Sequence, residues 1–299
     1  MNLLLLGGNG YIGSAFCSQT KHNVKSIDLC LFEKDLLYSQ RVNYNNFPID
    51  EYDVIVCLAG HSSVPMCESS PQRSWTNNVT NFRNLCEKLR KDQKLIYASS
   101  ASVYGKTSGL STEESKINFN VLNHYDLQKI TIDLIANKYI SEGKSIVGLR
   151  FGTVNGASPN TRSDLMINSM VKSVEKTGKI HAKNLHIRRA ILGINDLCRA
   201  LELVISTTIK SGQYNLASFN STVYSISNTI REYTNAEIIK GLDDTIAYDF
   251  ELSTEKFKNE TGFTFNDTIE ILVEGLHYHM HNSNFDVRDN DRNFQFYAP

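Results

Sequence analysis

Tyr125 and Lys129 stand four residues apart in a segment with helical patterning, so their side chains share one face. That pairing is suited to base chemistry. A free phenol titrates near ~10, so carrying its proton-free form near neutrality costs about 4 kcal/mol. An adjacent ammonium and a second positive centre in the site can supply that together. A YxxxK match is weak by itself in a chain with 14 tyrosines. Its weight comes from what precedes it. The run Leu95-Ile96-Tyr97-Ala98-Ser99-Ser100-Ala101-Ser102-Val103-Tyr104-Gly105 reads as a strand entering a loop. From there Ser100 can hydrogen-bond both a hydroxyl of a bound molecule and the Tyr125 phenol.

A second group of residues has the spacing of a phosphate cradle. Gly7-Gly8-Asn9-Gly10-Tyr11-Ile12-Gly13 carries GxxGxxG between an N-terminal apolar run and a helical pattern. Glycines at Gly7, Gly10 and Gly13 let the backbone turn tightly, approach a pyrophosphate and pack helix on strand. The helix start adds free N–H groups and a positive partial charge. Asp28 lies 15 residues beyond Gly13, just after the next apolar run. A carboxylate there accepts both hydroxyls of an adenosine ribose and repels a 2′-phosphate, which favours NAD over NADP.

These residues need a scaffold that brings loop ends together. Leu3–Leu6, Val24–Ile27, Val54–Leu58, Leu95–Ala98 and Ile146–Leu149 are short continuous apolar runs. Between them lie helical stretches, roughly Tyr11–Thr20, Pro71–Lys91 and Leu122–Tyr139. The alternation predicts an α/β fold, a Rossmann-type doubly wound parallel sheet with helices on both faces. Ligands then sit beyond the carboxyl ends of the strands. Past Gly152 the pattern loosens into a smaller C-terminal lobe. The expected division is 1–152 as the dinucleotide-binding domain, with about 185–210 returning to it, and 153–299 mainly as a substrate lobe. The polar tail 282–299 is expected to pack loosely.

Composition narrows the function class. Among 299 residues, 31 Lys+Arg against 32 Asp+Glu give a net charge of -1, unlike a general nucleic-acid binder. The leucines Leu3–Leu6 are too few to span a membrane and no basic segment precedes them, so a cytoplasmic protein is expected. Six cysteines without a CxxC pair read as reduced thiols. His181 and His186 have no Cys or carboxylate at ligand spacing, so no metal is expected. The sequon at Asn78-Val79-Thr80 is expected to be idle.

Taken in order, the motifs resemble the extended short-chain dehydrogenase/reductase family, in particular its nucleotide-sugar epimerase/dehydratase group. They are the glycine loop with Asp28, Leu58-Ala59-Gly60-His61 ending a strand, Asn78-Val79 in a helix, the Ser99–Gly105 segment, Tyr125-x-x-x-Lys129, and Leu149-Arg150-Phe151-Gly152. The resemblance runs from the start of the chain to about Asp196. It implies bound NAD, a Ser100/Tyr125/Lys129 triad, and cofactor contacts from Gly7, Gly10, Tyr11, Ile12, Gly13, Asp28, Leu58, Ala59, Gly60, Asn78, Ser99, Tyr125 and Lys129. It further implies a homodimer through a four-helix bundle, here Trp75–Lys91 and Asp126–Ile140, with Leu127, Ile130, Leu134 and Asn137 on one side.

Within that group, 4,6-dehydratases carry an acidic pair or a glutamate directly after the triad Ser/Thr. Here Ala101 and Ser102 occupy those places and can act as neither acid nor base. The segment is most similar to that of UDP-hexose 4-epimerases, which implies oxidation at C4 by Tyr125, with Lys129 lowering its pKa, and return of hydride to the opposite face. Keto-reduction with the same triad is the alternative, and a non-catalytic dinucleotide-binding regulator is a third reading. Substrate contacts are expected from Ser100, Ser102, Thr153, Arg162, Asp164, Asn168 and Arg189. Arg189 matches a diphosphate-binding arginine, whose planar fork donates paired bonds. Gly193 stands where the family has a histidine, Asp196 is kept, and Thr153 replaces a substrate-contacting Asn.

Overall fold

The structure, a computed structural model, describes residues 1–30, 38–105, 107, 109–117, 119, 123–243 and 248–282. Almost all of the tail expected to pack loosely lies outside them. Among the described residues, seven parallel strands form the main sheet. From one edge to the other they run Gly212–Leu216, Ser145–Phe151, Lys94–Ser100, Val54–Cys57, Leu3–Leu6, Val24–Asp28 and Gln40–Arg41. The expected doubly wound sheet is thus present. The first strand shows why its sequence is a continuous apolar run. Leu3 and Leu5 face the helices Tyr11–Gln19 and Ile194–Ser206, packing near Phe16, Leu197 and Leu201. Leu4 and Leu6 face the opposite layer, near Phe82, Leu85, Ile132 and Ala136. Burial on both faces removes the polar alternation that a half-exposed strand would show.

The sheet takes its outer strand from Gly212–Leu216, beyond the 185–210 return expected from the sequence. Two smaller pairings lie past the main sheet. Thr153–Asn155, Arg188–Gly193 and Phe219–Thr222 form a three-stranded sheet, and Lys179–Ala182 pairs with Glu237–Lys240. Helices Met166–Thr177, Val223–Thr234 and Ile269–Asn282 enclose a separate apolar cluster around Ile167, Ile226 and Leu276.

The expected helix over 71–91 runs continuously to Lys88 but widens midway. Pro71–Trp75 and Asn81–Lys88 are α-helical, joined by a wider π-type turn over Thr76–Thr80 that holds Asn78. The Asn78 amide is buried and bonded inside the protein, so its sequon offers no acceptor to solvent. His124–Ser141 is one helix, capped by the Asn123 side chain accepting from the Asp126 N–H. Its body is fixed by a buried ion pair: Arg150 Nε donates to Asp133 at 2.8 Å. Tyr97 and Tyr104 complete that network, the first donating to Asp133 and the second accepting from Arg150. On this helix Leu127 and Leu134 are exposed, as is Trp75 of Pro71–Trp75, whereas Ile130 is buried in the protein's own core. The helix thus presents both a core contact and exposed apolar side chains. All six cysteines are free thiols, five of them buried. No helix among the described residues is long and apolar enough to cross a membrane.

Candidate active site

The carboxyl ends of the parallel strands open into one cavity of about 380 Å³. The glycine loop forms one wall. Gly7 has φ +96, and a Cβ there would lie 2.6 Å from the Ala59 nitrogen. A Cβ on Gly13 would lie 2.1 Å from the Gly7 carbonyl oxygen, so the helix start can close on the loop only with glycine. Asp28 sits at this end. Its carboxylate accepts the N–H groups of Asn9 at 3.1 Å and Cys30 at 2.7 Å, which fixes it at the cavity edge. Leu58, Ala59, Gly60 and His61 line the next stretch. Asn78 lies behind them and clamps His61 from both sides, accepting its N–H at 2.8 Å and donating to its carbonyl at 3.0 Å. Gln128, from the Tyr125 helix, accepts from Asn78 at 2.7 Å. Asn78 thus supports the cofactor wall and does not itself line the main cavity.

Ser99, Ser100 and Ser102 meet Tyr125 and Lys129 at the middle of the cavity. Ser100 ends its strand, caps the following turn through the Ser102 N–H, and stands beside the Tyr125 phenol, whose ionised form its hydroxyl favours. Lys129 donates to the Ala98 carbonyl at 2.7 Å, with its ammonium 5.7 Å from the Tyr125 ring centre. Burial pushes the phenol up to about 12, opposed by the neighbouring Ser100 hydroxyl and by the charge of Arg162. Burial also holds Lys129 below its usual range. Arg162 thus adds a second cation acting on the phenol, beside the Lys129 expected from the sequence.

Arg162 and Arg189 mark the far end. Arg162 pairs with Asp164 through two bonds, 3.0 and 2.5 Å long, and donates to the Ser62 carbonyl. Asp164 is exposed outside the cavity and anchors the arginine. Arg189 donates to Thr153 Oγ1 at 3.0 Å and to the Tyr248 carbonyl at 3.2 Å, and lies across the Tyr248 and Phe250 rings. Its Nε is buried and unpartnered among the described residues, as are the hydroxyls of Ser99 and Ser102. Three unsatisfied polar groups around one cavity are costly unless something polar joins them. Asn168 is a correction. It is fully buried, its amide accepting the Gly156 N–H at 2.9 Å and donating to the Arg162 carbonyl at 2.8 Å, so it shapes the loop and does not face the cavity. Tyr11 does similar work: its hydroxyl donates to the Gly156 carbonyl at 2.8 Å, tying the glycine loop to that segment.

Gly193 has a local explanation. A Cβ there would lie 1.9 Å from the Asp267 carboxylate, which accepts the Asp196 N–H at the start of the Ile194–Ser206 helix. Asp196 in turn accepts from Ser218 and from the Asn266 and Asp267 backbone. An acidic cap from a distant segment thus fills the place of a histidine. Sequence reasoning missed Asp267, Gln128, Tyr248 and Phe250. None belongs to a short motif, and each arrives through tertiary packing.

Among the described residues lining the cavity, Asp28 is the single carboxylate, while Lys129, Arg162 and Arg189 are cationic. The arrangement fits a dinucleotide along the glycine loop and an anionic molecule reaching the arginines. Residues 3–217 match the NAD dependent epimerase/dehydratase family. The chain is 28% identical over 191 residues to the UDP-glucose 4-epimerase of Bacillus subtilis (strain 168), covering 54% of this chain and 55% of that one. It therefore spans about half the length of that relative. The fold is similar to that of MoeE5 in complex with UDP-glucuronic acid and NAD, with TM-score 0.83 and 19% identity over 95% of this chain and 100% of that one. It is also similar to DesIV, a dTDP-glucose 4,6-dehydratase from Streptomyces venezuelae, with TM-score 0.79 and 20% identity over 94% of this chain and 98% of that one. At these identities the structural likenesses speak for the fold.

Proposed function

Because the chain belongs to the NAD dependent epimerase/dehydratase family, we propose that it is an NAD-dependent nucleotide-sugar 4-epimerase acting on a UDP-hexose or a close analogue. The observation that carries this reading is the joining of Ser100, Tyr125 and Lys129 in a cavity whose single described carboxylate, Asp28, lies at the ribose end. Eliminating water across C5 and C6 needs an acid beside the sugar. Ala101 is buried away from the cavity and Ser102 offers only a hydroxyl.

Gly7, Gly10, Gly13, Asp28, Ser99 and Lys129 would hold the cofactor, with residues 1–152 contributing most of that site and the later chain most of the substrate site. Bound NAD would supply a hydride acceptor and donor and, when oxidised, positive charge in the site. Ser100 holds the 4-hydroxyl and bridges it to the Tyr125 oxygen. Tyr125 takes the hydroxyl proton on oxidation and gives it back on reduction. Arg189, held by Thr153 and without a carboxylate partner among the described residues, meets the diphosphate, so the anchor stays fixed while the sugar turns to present its other face. Arg162 supplies a second charge between diphosphate and phenol. A homodimer through the exposed Leu127, Leu134 and Trp75 faces belongs to the same reading.

The test is incubation of the purified protein with a panel of nucleotide sugars without added cofactor, read by proton NMR. Appearance of the C4 epimer supports the proposal. Reaction only of a 4-keto sugar, and only with supplied NADH, replaces it with a keto-reductase.

A further inference from the structure

Outside the cavity, the helices Met166–Thr177 and Ile269–Asn282 pack through Ile167, Met170 and Val171 against Leu272, Val273 and Leu276. Where this apolar seam meets solvent, Glu175 from the first helix converges with His277 and His281 from the second. The histidines are one helical turn apart, so their rings share a face. Those rings lie 4.3 Å apart between centres. Glu175 Oε1 lies 2.6 Å from His277 Nδ1, and Glu175 Oε2 lies 3.3 Å from His281 Nε2.

The second contact is informative because the other nitrogen of His281 is committed. Its Nδ1 lies 2.9 Å from the His277 carbonyl oxygen, which can only accept, so Nδ1 carries the proton. In the neutral ring, Nε2 then presents a lone pair to a carboxylate oxygen. A positive centre joins two such electron-rich atoms, and either a second ring proton or a metal ion can be that centre. A histidine whose far nitrogen donates to a backbone carbonyl, orienting the near one, is the arrangement metal-binding imidazoles adopt. One atom from each of the three residues falls within a 4.8 Å compass, and the rings are about half exposed.

We propose that Glu175, His277 and His281 bind one divalent transition-metal ion, with an open position toward solvent. Two imidazoles and a carboxylate suit Zn²⁺, Ni²⁺ or Cu²⁺, whereas Mg²⁺ and Ca²⁺ prefer oxygen ligands. The ion cross-links the two helices. Asn168, two turns before Glu175 on the same helix, holds the Gly156–Arg162 segment of the cavity, so the metal braces the element behind that wall. The inference does not depend on the proposed reaction.

The experiment uses the full chain, stripped with chelator and titrated with Zn²⁺ by calorimetry, beside Glu175→Gln, His281→Ala and the double variant His277→Ala/His281→Ala. The expected result is a saturable one-to-one event in the parent chain, weakened at least tenfold by each single change and lost in the double variant. Millimolar Mg²⁺ leaves it unchanged. At free zinc one hundredfold above Kd the melting midpoint of the parent rises by roughly 5 °C, and that of the double variant does not. The metal-free midpoints and NAD affinities of parent and variants should agree, since the altered side chains are exposed and remote from the cavity. Zinc binding of equal strength in the parent and the double variant, or no saturable zinc binding in the parent, overturns the proposal.

Discussion

Removing a single oxygen, in Tyr125→Phe, separates chemistry from architecture. Phenylalanine keeps the ring against the cavity wall and deletes the phenol oxygen beside Ser100. The fold should lose no more than about 1.5 kcal/mol of stability, because Ser100 still caps its turn through the Ser102 N–H. The chemical loss is larger. A positioned base contributes about 10²–10⁴ in rate, equivalent to about 2.7–5.5 kcal/mol of barrier. Starting from about 12 in the ligand-free fold, a phenolate at pH 7 costs on the order of 7 kcal/mol, so the base form must be drawn out by positive charge brought into the site. The sign of the pH dependence follows. Activity rises with pH while Tyr125 loses its proton, and Ser100→Ala, which deletes a group favouring phenolate, shifts the rising limb to higher pH. The assay is kcat and kcat/KM from pH 6 to 10, with NAD affinity measured by calorimetry. Tyr125→Phe should lose at least a hundredfold in kcat with NAD affinity changed less than about threefold. A variant that keeps more than a tenth of kcat would refute the assignment of Tyr125 as the base.

Three further outcomes are expected. Asp28→Ala should weaken NAD at least tenfold and narrow the preference for NAD over NADP, measured as the ratio of their dissociation constants. Arg150→Leu should destabilise the fold by about 3–5 kcal/mol in urea unfolding, because it strands the buried Asp133 carboxylate, and adding Asp133→Leu should recover part of that loss. Leu127→Glu with Leu134→Glu should turn a dimer into a monomer in analytical ultracentrifugation without changing the melting midpoint of the subunit by more than a few degrees.

Much of the sheet was legible because its strands are buried on both faces, which writes continuous apolar runs such as Leu3–Leu6 and Val54–Cys57 into the chain. The edge strand Gln40–Arg41 carries no such mark, being two exposed polar residues held by a parallel partner. The Gly212–Leu216 strand, Gly-Gln-Tyr-Asn-Leu, hides its register behind buried polar residues: Asn215 bonds Tyr104, and Gln213 bonds Tyr97 and Asn137. The glycine loop and the triad could be read because their spacing is local. Substrate-side residues were harder, since a polar side chain in a loop looks alike whether it faces a ligand or its own backbone. Asn168 and Arg162 illustrate both outcomes: one amide is spent inside the loop, and one guanidinium lines the cavity. Gly193 departs from the related pattern because Asp267, 74 residues later, occupies its space.

Direct proof of the chemistry comes from following the hydrogen on C4. Nucleotide sugar deuterated at that carbon, turned over in ordinary water, should yield an epimer that still carries the deuterium at C4, with none appearing elsewhere on the ring. Loss of the label to water, or solvent hydrogen entering at C5, would mean that the site does not remove and return a single hydride, and the account given for Ser100, Tyr125 and Lys129 would be wrong.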